Sequence, residues 1–215
     1  MTKKLIILFV AMGVTYFGHA QGYGRGFASL TDTPAAAFSA QTPPVFAIRT
    51  NLVYWATMVP QVTPNFGIEF GLSPKLTFNL TGAYNPFNPE WSTVDTKKLA
   101  HWDVVPEIKY WFCERFNGSA IGIHGIYGGY NVAGYGIPLL FEEGYRYEGS
   151  AFGAGISYNY HWMLGKRFGL EFTLGGGFLY MKYEKSTAPC SDCEEFKKTY
   201  LGPTKIGINL IYLIK

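Results

Sequence analysis

The chain has 215 residues, of which 15% are charged and 18% are Phe, Tyr or Trp, with 26 glycines and a formal net charge of +3. That balance excludes a disordered chain, a coiled coil and a helix-rich cytosolic enzyme. It also leaves no basic surplus for neutralising a phosphate backbone, so nucleic acid is not an expected partner.

Residues 1–20 read as a cleaved signal peptide. Lys3 and Lys4 precede the apolar run Leu5 to Met12, and Gly18-His19-Ala20 stands before Gln21. Removing it lowers the formal charge to +1. Residues 21–43, with Pro34, Ala35 to Ala37, Ser39 and Pro43, show no sustained period and are expected to form a mobile periplasmic leader. Residues 44–215 are expected to form one domain.

No second apolar run is long enough for a membrane helix. The uncharged stretch Phe116 to Phe141 holds seven glycines, which would weaken a helix by about 1 kcal/mol each relative to alanine. From residue 45 onward the pattern instead has a period of two, the mark of strands with two unlike faces. The first strand is expected near 45–54, with Phe46, Ile48, Leu52 and Tyr54 set against Arg49 and Asn51. Strands near 65–72, with Phe66, Ile68, Phe70 and Leu72 apolar, and 76–85, with Leu76, Phe78, Leu80 and Tyr84, flank Ser73-Pro74-Lys75. A fourth near 102–112 carries Pro106, where a bulge is expected because proline cannot complete a ladder. The remaining four are expected near 120–130, 150–162, 169–183 and at the C-terminal end, where Ile206, Ile208, Leu210, Tyr212 and Ile214 share a face.

Tight turns are expected at 73–75, 114–119 and 165–167, and long connections at 55–64, 86–101, 131–148 and 184–203. Alternating short and long connections point to an all-β, eight-stranded antiparallel transmembrane β-barrel of up-and-down topology, in the outer membrane. The polar face is mostly Gly, Ala, Ser, Thr and Asn, too poor in charge for the outside of a soluble barrel. Tyr54, Tyr84, Trp102 and Tyr180 toward the long loops, and Tyr110, Phe112, Trp162 and Tyr212 toward the turns, would form two aromatic girdles.

Eight strands enclose only enough room for side chains. The inward charges, Arg49, Lys109 and Lys205 against Glu69, Glu107 and Glu171, with Asp103 near the rim, are expected to pair and plug the interior. The sharper alternative is a proton or ion path. Glycines of the fifth to seventh strands are expected to make room for long side chains from the opposite wall.

Several stretches resemble a family of uncharacterised outer-membrane barrels of Bacteroidetes, known only as a domain of unknown function. They include Arg49-Thr50-Asn51-Leu52-Val53-Tyr54-Trp55, Asn65-Phe66-Gly67-Ile68-Glu69-Phe70, Tyr84-Asn85-Pro86, Lys97-Lys98-Leu99-Ala100-His101-Trp102 and Tyr145-Arg146-Tyr147-Glu148-Gly149. The segments Tyr110-Trp111-Phe112-Cys113-Glu114-Arg115-Phe116-Asn117-Gly118, Cys190-Ser191-Asp192-Cys193 and Gly202-Pro203-Thr204-Lys205 match as well. The resemblance runs from about residue 48 onward and implies the barrel fold and the outer membrane, with no established activity. Its members' association with fimbrial gene clusters implies a surface or adhesion role.

Lipid A acylases and deacylases of small barrels use a rim histidine with a serine and a carboxylate, so His101, His124 and His161 are the residues to weigh. His124 and His161 fall inward within strands, where packing is the commoner role. Ser157 and His161 share a face but stand about 13 Å apart, too far for a nucleophile and its base. His101 has Ser92 and Asp95 in the adjoining loop, without a spacing that makes a triad. Cys190 and Cys193 lack the further ligands of a zinc site and are expected to form a loop disulfide, leaving Cys113 free. No metal or cofactor is expected. The expected role is a non-porin surface scaffold or adhesion barrel whose loops meet an envelope or fimbrial protein or lipopolysaccharide; the alternative is a lipid A modifying enzyme.

Overall fold

The computed structural model describes residues 45–56, 63–86, 98–135, 141–142, 144–186 and 194–214. Residues 1–20 and 21–43, and with them the expected leader segments, lie outside this set, as do Ser92, Asp95, Cys190 and Cys193.

Eight strands follow in chain order: β1 (Phe46–Asn51), β2 (Asn65–Gly71), β3 (Leu76–Asn85), β4 (Lys98–Trp111), β5 (Gly118–Ala133), β6 (Arg146–Met163), β7 (Phe168–Ser186) and β8 (Glu194–Ile214). One short helix, α1 (Leu52–Ala56), lies between β1 and β2. Each strand pairs antiparallel with the next. β1 also pairs with β8, from Phe46↔Ile214 to Asn51↔Asn209, so the ring of hydrogen bonds closes. The two-residue period of the sequence becomes two faces of this ring. In β2, Phe66 and Phe70 point outward and are exposed, while Asn65 and Glu69 point inward and are buried.

The wall is uneven in height. β1, β2 and β3 have 6, 7 and 10 residues, whereas β6, β7 and β8 have 18, 19 and 21. Most of the long connection expected at 184–203 is therefore strand, and the one expected at 131–148 loses both its ends to β5 and β6. The outward face of these upper rungs turns polar, as at Lys182↔Lys197 and Glu184↔Glu195. Composition there resembles a loop, but backbone pairing continues in register past the point where the apolar face ends.

The first strand stops earlier than expected. Asn65 seals its end, accepting the Asn51 N–H at 2.6 Å and donating to the Asn51 carbonyl at 3.0 Å. The Asn51 side chain then accepts the Val53 N–H at 3.0 Å, an N-cap that starts α1. Tyr54 is consequently absent from the outer girdle and lines the interior beside Arg49 and Asp103. The other expected girdle residues lie on the outer face, with Tyr84, Trp102, Tyr110, Phe112 and Trp162 exposed.

Pro106 makes no bulge. β4 keeps one register with β5 on both sides of it, Val104↔Tyr127 and Glu107↔His124, and the proline ring lies over Gly125. The bulge falls instead between β7 and β8, where Gly175 pairs with Lys205 but Gly176 pairs with Pro203. The extra residue, Thr204, joins Lys205 in lining the interior. A bulge suits the missing N–H of Pro203 and turns two successive side chains the same way.

The expected tight turns stand at the end where β2 meets β3, β4 meets β5 and β6 meets β7. In the middle one the left-handed residues are Gly118 and, unexpectedly, Phe116, with φ of 61°. The Phe116 side chain tucks inward against Trp111, ring centroids 6.0 Å apart, and that burial offsets the backbone strain.

Candidate functional site

The interior is layered. At the turn end, Ala47, Trp111, Phe116, Ala120, Ile211 and Leu213 form an apolar floor. Apart from Phe116, which lies in the turn, these residues sit at inward positions of strands that also carry the buried polar residues. They blur the alternation, and sequence reasoning missed them.

Above the floor lie the six expected charges, all brought together. Arg49 on β1 donates to Glu69 on β2 at 2.7 Å and to Glu171 on β7. Lys109 on β4 donates to Glu69 at 3.0 Å and to both oxygens of Glu171 at 2.9 Å, and stands 3.9 Å from Glu107. Lys205 on β8 donates to Glu107 at 2.5 Å. Neutral donors fill the remaining lone pairs. Thr77 donates to Glu69 at 2.6 Å, while Ser157 at 2.5 Å and Asn79 at 3.2 Å donate to Glu107. Three cations face three carboxylates, and of the six only Lys205 keeps a noticeable exposed side-chain fraction, 17%. A network this complete stiffens the barrel by cross-linking seven of its eight strands, all but β5.

Glycines do make room for these side chains, but for neighbours rather than the opposite wall. A Cβ at Gly122 would lie 2.6 Å from the Glu107 carboxylate and the Ser157 hydroxyl, one strand away on either side. Strand tilt in a closed ring leans each long inward side chain over the adjacent strand, so room is needed there. Over the network a cavity of about 70 Å³, enough for one or two waters, lies between Arg49, Asn51, Tyr54, Asp103, Thr204 and Lys205.

The three histidines do not converge. His124 is buried, its Nε2 3.0 Å from the Thr204 hydroxyl. His161 is buried against Trp111 with ring centroids 6.1 Å apart, and Ser157 bonds Glu107 instead of pairing with it. His101 holds its Nδ1 3.2 Å from the Leu99 carbonyl. It lines a cleft of about 530 Å³ with Tyr84, Trp102, Tyr130 and Glu148, at the shoulder where β3 ends and β4 to β6 continue. The described lining of that cleft contains no serine or cysteine. Cys113 is exposed and free, at the turn end.

The tall part of the wall carries an aromatic cluster on its inner side. Tyr130 meets Phe141 at 5.3 Å, Phe141 meets Tyr147 at 4.9 Å, Tyr147 meets Tyr183 at 5.5 Å and Tyr183 stacks on Phe196 at 5.9 Å. Lys185 lies 3.8 Å over the Tyr145 ring and bonds Glu142 at 2.7 Å, which holds the Glu142 carboxyl below its ordinary value. These aromatics are therefore locked together, Tyr147 being 3% exposed. The signal that could have revealed this is the odd-numbered spacing of Tyr183 and Lys185, which continues the inward phase of Glu171 and Thr173.

A family model described as a protein of unknown function (DUF3575) matches residues 27–214. The match includes much of the segment that composition set apart as a leader. Neither a curated protein nor a solved structure matches the chain.

Proposed function

From the premise that the chain belongs to this family of unknown function (DUF3575), we propose its role from its own surfaces: an outer-membrane barrel that conducts nothing and works as a surface scaffold through its tall rim. The observation that carries the reading is the contrast between its faces. Outward residues from Phe66 and Ile108 through Ile123, Ile156, Leu174 and Ile206 are aliphatic or aromatic and exposed all round the ring. Exposure of that extent has no place in water and matches a lipid-facing band. The inner face, in contrast, is blocked by the apolar floor and the charge network.

The rim is then the part left to act. Its aromatic cluster forms a rigid base, and the connections beyond it, with Arg146 and the lysines around it, supply the kind of anchors that protein contacts use. Another envelope protein, a fimbrial one if the resemblance to Bacteroidetes barrels extends to role, is the partner this supports. A lipid A modifying enzyme is the second reading, favoured by one observation, the position of His101 on the shoulder cleft.

The test uses cells with and without the gene. Identical lipid A mass spectra, together with a cross-linked envelope partner lost on deleting residues 134–145, support the scaffold. Altered acyl composition reproduced by His101→Ala would replace it with the enzyme. Discrete single-channel conductance would refute the plugged interior.

A further inference from the structure

The outward face of β6 to β8 sorts its charges by height. Starting from the aromatic rung Phe152↔Tyr180↔Thr199, the next rung up is Ser150↔Lys182↔Lys197 and the one above is Glu148↔Glu184↔Glu195. Lysine faces lysine and glutamate faces glutamate. In a sheet exposed to water the stabilising order is the opposite, because directly opposed Cβ atoms stand about 5 Å apart and like charges there repel. Neither Lys182 nor Lys197 has an ion-pair partner among the described residues, and both are exposed. Glu148 is already engaged by Arg146.

The height of the lysine rung says what it faces. Two residues of strand are about 7 Å, or about 5 Å along the barrel axis after tilt, above the Phe152 and Tyr180 rings. The two rungs below those rings, Ala154↔Phe178↔Leu201 and Ile156↔Gly176↔Pro203, are apolar, with Phe178 48% and Leu201 81% exposed. Aromatic girdles sit at the level of lipid headgroups. The lysine rung therefore stands where the phosphates of the outer leaflet lie. Lys182 and Lys197 also line one surface depression of about 230 Å³, together with Glu148, Glu184 and Glu195 of the rung above.

We propose that Lys182 and Lys197 together clasp the phosphate of a single outer-leaflet lipid whose acyl chains lie over Phe178 and Leu201. The proposal rests on the membrane reading above and names a binding site within it. A doubly charged phosphomonoester cancels the repulsion of the opposed ammonium groups, and each lysine near an anionic lipid surface contributes attraction. The glutamate rung above meets the more polar headgroup layer and keeps the phosphate from sliding outward.

The experiment is native mass spectrometry of the full chain folded in dodecyl maltoside, which carries no phosphate. The probes are phosphatidic acid, diacylglycerol with the same chains, and inorganic phosphate. Wild type is expected to retain one phosphatidic acid and neither of the other probes. Lys182→Gln/Lys197→Gln should weaken retention by roughly tenfold or more. Lys197→Glu should abolish retention while raising the urea midpoint, because a carboxylate then faces Lys182. A purely structural role for the lysines would lower both together. Equal retention by wild type and either variant, equal retention of diacylglycerol, or capture of inorganic phosphate alone would overturn the proposal. Lack of a heat-dependent gel shift by wild type in maltoside would instead defeat the membrane reading on which it stands.

Discussion

Lys109→Met removes the central cation of the interior and keeps an unbranched side chain of similar length. Lys109 touches Glu69 at 3.0 Å and Glu171 at 2.9 Å and is fully buried. With an effective dielectric constant of about 20, each such contact supplies about 5 kcal/mol of attraction. Desolvating the ammonium offsets several of those, so breaking the cluster should cost about 3 to 5 kcal/mol net. The loss has a specific origin: three carboxylates would then share Arg49 and Lys205. Adding Glu171→Gln restores neutrality, and the double variant should recover at least about 2 kcal/mol over Lys109→Met alone. Urea unfolding from lipid vesicles, followed by tryptophan fluorescence, measures all three proteins. Trp111 is a local reporter, since the Lys109 ammonium lies 5.7 Å from its ring. A loss below about 1 kcal/mol for Lys109→Met at an unchanged m-value, or a double variant no more stable than the single, would refute the claim that charge balance holds the interior together.

Gly122→Val should destabilise by about 2 to 3 kcal/mol in the same assay, because its side chain displaces the Glu107 carboxylate from Ser157. Gly165→Ala, in a turn with nothing within 4 Å of the added Cβ, is the control and should change stability by less than about 0.5 kcal/mol. On the proposed membrane reading, in which short turns face the periplasm, a membrane-impermeant maleimide should leave the exposed Cys113 thiol at the turn end unlabelled in intact cells until the outer membrane is opened. Labelling of intact cells would invert the orientation.

The candidate site was legible in part, and the reason differs from residue to residue. The inward set Arg49, Glu69, Glu107, Lys109, Glu171 and Lys205 follows from strand phase alone, since a period of two assigns each residue a face. Which cation meets which carboxylate does not follow. Lys109 bridges Glu69 and Glu171 across 40 and 62 residues of sequence, and only strand tilt and shear bring them to one level. Thr204 entered the interior through a bulge opposite Gly175 and Gly176, and one inserted residue shifts every side chain on one side of it to the other face.

The number of strands, their order and the two unlike faces belong to the sequence, because burial on one face writes itself into every second residue. Strand length beyond the apolar band, the helical turn at Tyr54 and the aromatic lock around Tyr147 were decided by tertiary structure. There the backbone pairs with a neighbour whatever the side chains resemble, and Asn65, which is 14 residues away from Asn51 in the chain, decides where β1 ends.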